Sequence, residues 1–319
     1  MALLLYMNNR KGIFVSLIPI FRCNRKCKYC YQKDKVDDCT LIAVEDVYKR
    51  LEQIGQQYDI DTISIFGGEV SLLDRQYIDQ LFELCKSYCL DTNINTNLTN
   101  TSIIDIAHKH SVGVGVSYNV DRDDYKFVRK MLRKLPNNVV KTISVDTVIT
   151  PPYVTCDAEK LLDEYQSLGI KAVLFLPYSP SVTNHVYRTF NRQYENTLIR
   201  IYEQYQKRKY DFEITNFDIS IKRQCGIEGN IFILPNGNFA TVAYDENQHE
   251  YFHQFTILKH LKTLQLKEYE HFPQCMNCPY YNSYCLAEHL KVWDNDHDVC
   301  CGCKQLIERI LSDNNGSVV

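Results

Sequence analysis

The chain is organised around one stretch, CNRKCKYCY, which runs from Cys23 to Tyr31. A strand-like apolar run, IFVSLIPI, lies just before it at residues 13–20, and Phe21-Arg22 connects the two. Its cysteines have the spacing C-x3-C-x2-C, and cysteine thiolates are the usual ligands of iron–sulfur clusters. A cubane cluster has four irons, so three local cysteines leave one iron without a protein ligand, as in a metal site kept open for substrate. The spacing therefore predicts an iron–sulfur site after the first strand.

Two other interpretations of these cysteines are weaker. A zinc site usually has four ligands, paired two and two. Buried core thiols do not normally stand three in eight residues amid basic side chains. The basic residues themselves allow two interpretations, either an ordinary solvated loop or positive charge that offsets a thiolate cluster and raises its potential. They are Arg22, Arg25, Lys26 and Lys28.

Tyr29, an aromatic residue directly before the third cysteine, completes a pattern that resembles the signature of the radical S-adenosylmethionine (radical SAM) superfamily. The resemblance implies that Cys23, Cys27 and Cys30 hold a [4Fe–4S] cluster, with Tyr29 beside the cofactor. It also implies that the open iron chelates the amino and carboxylate groups of SAM. An electron from the cluster then cleaves SAM to methionine and a 5′-deoxyadenosyl radical, which takes a hydrogen atom from an unactivated substrate carbon.

Length, charge and cysteine count constrain the fold class and the function only loosely. Its 319 residues suffice for one α/β barrel or two average domains, and 36 Lys+Arg against 39 Asp+Glu give no general reason to expect nucleic acid. The apolar start, residues 1–6, is too short for a signal peptide, and no run is long enough to cross a membrane. We therefore expect a cytoplasmic protein without a membrane partner. Its 14 cysteines then favour metal binding over disulfides.

Strand-like and helix-like patterns alternate through the first two-thirds of the chain. Repeated β–α units of this length predict parallel strands, and six of them predict a partial (β/α)6 TIM-like barrel of the radical SAM type. We place this barrel at residues 1–210 and a small C-terminal α+β cysteine-rich domain at 211–319. The predicted strands of the barrel are 13–20, 60–66, 91–97, 112–118, 139–149 and 170–176, with helices between them.

Barrel enzymes place their chemistry where the strands end. Gly67-Gly68-Glu69 follows the second strand, and it resembles the superfamily motif that holds the SAM amino group, although Val70 replaces the usual proline. Asn97 ends the third strand where relatives often read T-N-G, with Leu98 in the glycine position. Ser117 ends the fourth strand and matches a serine that often meets the SAM ribose. All three are ordinary loop residues in the alternative interpretation.

The C-terminal third contains a predicted hairpin, because Asn236-Gly237 between two strand-like runs is a strong hairpin signal. A dense cysteine region follows, with C-x2-C at Cys275 and Cys278, and then Cys285 and Cys300. This spacing suits a four-thiolate site, but it does not distinguish zinc from an iron–sulfur cluster. We also expect a strand over 212–221 and a helix over 256–266.

Cys225, the hairpin and the C-terminal cysteines together resemble the SPASM/twitch extension of radical SAM enzymes. Val242 and His289 stand at two of the seven cysteine positions of that motif, so the resemblance implies only one auxiliary [4Fe–4S] cluster. Its implied ligands are Cys275, Cys278, Cys285 and Cys300, with Cys301 or Cys303 as alternatives to the last. Cys225 is then a buried thiol, a relic or a group that faces the substrate.

Three hypotheses about function follow. The first is a radical SAM enzyme that modifies a peptide or protein residue, because SPASM-like extensions are common among peptide-modifying relatives. The second is the same radical chemistry on a nucleoside, a nucleic-acid base or a small metabolite. Basic clusters on 122–134 and 188–209 give thin support to nucleic acid, and solvated helix faces explain them better. The third is a non-enzymatic zinc protein.

The sequence leaves the chemistry after hydrogen abstraction open. It implies an electron donor such as flavodoxin or ferredoxin, but it names neither the substrate nor a catalytic acid, base or hydrogen donor. Four polar residues are candidates with no motif to choose between them: Tyr118, Asp121, Asp146 and Asp245.

Overall fold

The structure is a computed structural model of the chain. It describes residues 11–179, 181, 184, 187–218, 229–242, 252–259, 261, 275, 277–281, 284–285, 300 and 302–315. Within these residues, no helix is both long enough and apolar enough to cross a membrane.

Six β–α units follow one another along the first two-thirds of the chain, as the alternation of patterns predicts. The strands are β1 Gly12–Leu17, β2 Asp59–Ile65, β3 Thr92–Thr96, β4 Gly113–Ser117, β5 Ile143–Val148 and β6 Ala172–Leu176. The helices are α1 Val44–Gly55, α2 Arg75–Tyr88, α3 Ser102–Lys109, α4 Tyr125–Lys134, α5 Asn137–Val140, α6 Pro151–Val154, α7 Ala158–Leu168 and α8 Asn191–Tyr205. Strands β1 to β6 are parallel and adjacent in chain order. The predicted α/β class and partial barrel are confirmed.

Strand residues alternate between two environments, and this alternation separates the core from the barrel interior. Ile63 and Ile65 on β2 are fully buried, and they belong to the main core, where the sheet meets the helices. On β3 the residues between the buried ones, Asn93 and Asn95, are only half-buried and hydrogen-bond to polar side chains of neighbouring strands. The apolar side of the sheet therefore packs under helices, and a polar side lines the interior.

The C-terminal strands extend the same sheet. They are β7 Glu213–Ile214, β8 Asn230–Ile233, β9 Phe239–Val242 and β10 Phe252–Phe255, and the last helix is α9 Lys304–Asn315. Strand β8 lies parallel to β1, whereas β9 and β10 follow in antiparallel order. Gly237, at φ +77°, closes the turn between β8 and β9, so the predicted hairpin forms. The division into domains at residue 210 stays a prediction.

A second apolar cluster joins this hairpin to the cysteine loop, defined here as residues 23–31. Phe21 and Phe252 pack with ring centroids 5.9 Å apart, and Tyr31 meets Phe252 at 6.1 Å. Phe232 of β8 packs against Phe252 at 5.5 Å. Because buried aromatic pairs contribute more than their area alone, this cluster fixes one side of the loop against the C-terminal strands.

Three predicted elements differ from the structure. The strand expected over 139–149 is shorter, because Asn137–Val140 forms a helical turn after Pro136, whose fixed φ suits the start of a turn. The strand expected over 212–221 is limited to β7 and is followed by a 3-10 turn at Thr215–Phe217, while residues 219–221 lie outside the described part. The helix expected over 256–266 begins with bends and turns at 256–259, and most of its later residues lie outside the described part.

The turn after β2 brings two backbones into direct contact. The Gly68 N–H donates to the Ile20 carbonyl at 3.0 Å, and the Glu69 N–H donates to the Arg22 carbonyl at 2.8 Å. A Cβ atom on Gly68 would stand 2.0 Å from the Arg22 oxygen. Gly67 has a φ of +109°, which few other residues adopt. Both glycines are therefore required for the approach of this turn to the segment that leads into the cysteine loop.

We expect Gly68→Ala to destabilise the protein, because the added methyl group must push the Arg22 backbone away. Overpacking of this kind lowers the free energy of unfolding by about 1–3 kcal/mol. Gly55→Ala is the matched control: its Cβ meets nothing within 4 Å, so it should stabilise helix α1 by about 0.4–1 kcal/mol. Urea denaturation measures both values. Equal effects of the two substitutions would contradict this account of the turn.

Candidate active site

The cysteine loop begins just beyond β1, at the end of the barrel where the other strands also finish. Exposure alternates along it: Asn24, Lys26 and Lys28 are exposed, whereas Cys23 and Cys27 are half-buried. The Cys23 N–H donates to the Val36 carbonyl at 2.9 Å, which closes the loop at its start. Lys26 and Lys28 therefore lie on the outer side of the loop, whereas the thiols are partly protected from solvent.

The three thiols share one environment. Burial chiefly, and the charges of Cys27 and Cys23 to a lesser extent, raise the pKa of the Cys30 thiol to about 12. Burial also raises the pKa of Cys23 and of Cys27. Thiols that act on one another in a partly desolvated pocket are poor free thiolates, but they suit a group that takes them all as ligands. The chemistry of these three thiol donors fits the predicted cluster.

Glu69 is 1% exposed and ties the ends of two strands together. One carboxylate oxygen accepts hydrogen bonds from Thr96 Oγ1 at 2.6 Å and from the Ser71 N–H at 3.1 Å. The other oxygen accepts from the Asn97 N–H at 2.7 Å. An ionised carboxylate has about four acceptor positions, so the second oxygen retains room for one further donor, such as an ammonium group.

Asn97 connects the end of β3 to the cysteine loop. Its side-chain amide donates to Asn24 Oδ1 at 2.8 Å, and its oxygen accepts from the Thr99 N–H at 3.0 Å. Leu98, at the position where relatives often have glycine, has a φ of +59° and is fully buried. The turn is thus left-handed at a leucine, and the strain of about 1–2 kcal/mol is offset by burial of its side chain.

Ser117 belongs to a polar group that spans three strands. Its hydroxyl donates to Asn95 Oδ1 at 2.7 Å, and the Asn95 amide donates to Asp146. Gly115 lies between them on β4, where a Cβ would stand 3.1 Å from Asp146 Oδ2. Asn95 and Asp146 therefore meet across β4 because this position has no side chain. Burial raises the pKa of Asp146 to about 6.

The structure separates the four polar candidates that the sequence could not rank. Tyr118 is 1% exposed and donates to Glu164 of α7 at 2.7 Å, so it packs on the helix side of the sheet. Asp121 accepts a hydrogen bond from Tyr187 at 2.6 Å, beyond the end of β4. Asp146 alone of the three lines the barrel interior, and Asp245 lies outside the described residues.

Two side chains that the sequence did not single out contact the cysteine loop. Arg122 is 8% exposed, and its guanidinium lies 3.5 Å from the Tyr29 hydroxyl. The sequence placed it on a solvated helix face, which is wrong because it precedes α4 and turns inward. Asn184 is 3% exposed and donates to the Tyr29 carbonyl at 2.8 Å from the segment after β6. No sequence motif signals either residue; only the topology brings these loops together.

The distal cysteines are described only in part. The Cys278 N–H donates to the Cys275 carbonyl at 3.1 Å, so these two share one turn. Cys285 is buried, and the pKa of the Cys300 thiol is raised chiefly by burial and to a lesser extent by Cys285. Cys303 is 1% exposed in the main core, whereas Cys225, His289 and Cys301 lie outside the described residues. Among described residues, no three thiol, imidazole or carboxylate groups are arranged to hold a single metal ion. All metal ligands therefore stay predictions.

The sequence model of the Radical SAM superfamily matches residues 17–147, a range that includes the cysteine loop, Glu69, Asn97, Ser117 and Asp146. This segment is therefore similar to radical SAM domains, which supports the expected radical SAM enzyme class for this part of the chain. The match ends before the C-terminal cysteines, so the SPASM/twitch extension stays a prediction.

Known proteins resemble the chain over different lengths. A putative glycyl-radical enzyme activating enzyme of Methanocaldococcus jannaschii is 30% identical over 77 residues, which are 24% of this chain and 29% of that protein. A probable GTP 3′,8-cyclase of Methanocella arvoryzae is 31% identical over 108 residues, 34% of each chain. The chain thus spans about a third of these curated relatives.

The fold resembles solved structures over a much greater length. The structure of anSMEcpe with bound AdoMet and the Cp18Cys peptide has a TM-score of 0.68 and 14% sequence identity. The likeness covers 96% of this chain and 99% of that one. At this identity it supports the fold alone, and it extends beyond the matched domain into the C-terminal region.

The raised pKa of Asp146 predicts a specific pH dependence of stability. Folding raises this pKa from 3.8 to about 6, so the folded state binds the proton more firmly. The resulting stabilisation is fully present below the unfolded pKa and is lost as the pH rises through about 6. Relative to Asp146→Asn, the wild-type free energy of unfolding should fall by about 1.4 kcal/mol between about pH 5 and about pH 7.

Urea denaturation at several pH values measures this slope. The charged or polar groups that face Asp146 from β3 and β4 are Asn95 and Ser117, which do not titrate, and Leu174 pairs with it from β6. Ser144→Ala, two residues earlier on β5, is the control and should keep the wild-type slope. An unchanged slope in Asp146→Asn would show that the carboxyl titrates normally.

Proposed function

We propose that this chain is a radical SAM enzyme that cleaves SAM reductively and abstracts a hydrogen atom from a peptide or protein residue. The observation that carries the proposal is the placement of the cysteine loop. Three half-buried thiols stand at the end of β1, and the glycine turn after β2 is bonded to the backbone directly before them. Cofactor chemistry at the ends of barrel strands is the general rule for this architecture.

Each predicted residue then has a role. Cys23, Cys27 and Cys30 would hold a [4Fe–4S] cluster, which supplies the electron that cleaves SAM to the hydrogen-abstracting radical. The Glu69 oxygen with a remaining acceptor position would take the SAM amino group, while Gly67 and Gly68 allow the turn to approach. Ser117 would meet the ribose. Tyr29 and Asn97 fix the loop and the turn around the same space.

A peptide substrate is supported by the fold likeness to anSMEcpe, a protein whose structure contains a bound peptide and AdoMet. The interior of the barrel is also suitable, because Ser64, Asn93 and Asn95 offer amide and hydroxyl groups that match peptide hydrogen bonds. Flavodoxin or ferredoxin would deliver the electron.

An auxiliary [4Fe–4S] cluster would be held by the distal cysteines Cys275, Cys278, Cys285 and Cys300. Cys303 is buried in the main core at φ +59°, at the start of α9, which favours Cys300 over Cys303 as the fourth ligand. Helix α9 supports this end, because Glu195 of α8 accepts a hydrogen bond from the Gln305 N–H at 2.8 Å.

Cys27→Ala should abolish SAM cleavage, because the cluster loses one of its three thiolates. The measurement is 5′-deoxyadenosine formed anaerobically with SAM and dithionite. Cys39→Ala is the control: this exposed thiol lies outside the loop and its loss should leave the yield unchanged. A normal yield from Cys27→Ala would remove the basis of the proposal.

Peptides with deuterated side chains test the substrate class. If a peptide is the substrate, deuterium must pass from it into 5′-deoxyadenosine. Deuterium transfer from a labelled nucleoside pool alone would favour the second hypothesis.

Cys278→Ala should lower the iron content by one cubane cluster, about four irons per chain. Iron and sulfide analysis of anaerobically purified protein measures this loss, and the loop cluster should remain visible by electron paramagnetic resonance after reduction. Unchanged iron content would reject the auxiliary site, and zinc released in place of iron would identify a structural zinc site instead.

A further inference from the structure

The guanidinium group of Arg122, in the loop after β4, is buried and lies against the cysteine loop. The Arg122 guanidinium donates to both carboxylate oxygens of Asp124, from Nε at 2.7 Å and from Nη2 at 3.0 Å. Arg122 is 8% exposed and Asp124 is 6% exposed. Two-point pairing of this kind fixes the plane of the guanidinium. Its remaining nitrogen lies 3.5 Å from the Tyr29 hydroxyl.

The same carboxylate also reaches the cysteine loop directly. Arg25, between Cys23 and Cys27, places its Nε atom 3.0 Å from Asp124 Oδ2. Two guanidinium groups thus share one carboxylate, and the cluster of Arg25, Arg122 and Asp124 carries a net positive charge. Little water screens it, because two of its three members are almost fully buried.

The ion pair is attached to the cysteine loop at two points. Arg25 belongs to the loop itself, between Cys23 and Cys27, and Tyr29, which Arg122 contacts, directly precedes Cys30. Arg122 and Asp124 carry opposite charges, so they act in opposite directions on any charge that the loop holds.

We propose that Arg122 and Asp124 together set the reduction potential of the iron–sulfur cluster at the cysteine loop. The inference rests on the proposed function, which assigns that cluster to Cys23, Cys27 and Cys30. Reduction adds one negative charge, so a nearby buried cation stabilises the reduced cluster and an anion destabilises it. Arg122 raises the potential and Asp124 lowers it. Both are positioning residues that act through the field at the cluster.

An electrochemical titration tests this with the full-length, cluster-containing protein. The fraction of reduced cluster is followed by electron paramagnetic resonance at a series of fixed potentials, in the absence of SAM. Arg122→Gln should reduce the ratio of reduced to oxidised cluster about tenfold at a fixed potential, a midpoint decrease of about 59 mV for a one-electron couple. Arg122→Lys, which keeps the charge, should restore most of the ratio.

Asp124→Asn provides a change of opposite sign, because it removes the anion and leaves the cation. Its midpoint should rise, which a merely loosened loop would not produce together with a decrease in Arg122→Gln. The matched control is Arg129→Gln on α4, where the arginine is bound by Glu164 at 2.5 Å and the charge change is the same. Its midpoint should equal that of the wild type.

The possible outcomes distinguish a failure of the proposed function from a failure of this inference alone. A wild-type protein without a reducible cluster would overturn the proposed function, and this inference would fall with it. A cluster whose midpoint is the same in wild type, Arg122→Gln and Asp124→Asn would overturn the inference alone. Shifts of the same sign in both variants, or an equal shift in Arg129→Gln, would also overturn it, because the effect would then not come from this ion pair.

Discussion

The contact between two backbones at Gly68 is the constraint on which the site depends. Because no Cβ stands between the turn after β2 and the Arg22 carbonyl, the two segments form hydrogen bonds where a larger residue would hold them apart. This contact aligns the start of the cysteine loop with Glu69. The Glu69 carboxylate accepts a hydrogen bond from the Asn97 N–H at the end of β3. The Asn97 side chain in turn donates to Asn24 in the cysteine loop. A continuous hydrogen-bond network of backbone and side-chain groups therefore connects the parts of the candidate site.

Local patterns were sufficient for the barrel. Alternating periodicities located the six parallel strands, and the cysteine spacing with Gly67-Gly68-Glu69 predicted the radical SAM resemblance that the family model supports over residues 17–147. The left-handed turn at Leu98 is a feature that the sequence pattern did not predict. A glycine-based motif cannot detect a buried leucine that adopts the same φ, because the burial that compensates its strain is a property of the folded protein.

Features that depend on distant contacts could not be predicted. Arg122 lies next to a run of basic helix residues and looked like one of them, yet the loop after β4 turns it towards Tyr29. The union of β8 with β1 joins residues more than two hundred positions apart, and the hairpin signal at Gly237 specifies the turn but not the neighbour of its strands. Asp146 became distinct from other acidic residues only through Asn95 and the missing side chain at Gly115.

The short strand β7 has a consequence for recognition. Glu213–Ile214 pairs with β6 over two residues and then enters a 3-10 turn, so this border of the sheet exposes very few backbone donors and acceptors. An extended polypeptide needs a longer row of such groups to dock as an additional strand. The sheet is therefore protected at this border against the addition of a further strand, including one from another copy of the chain.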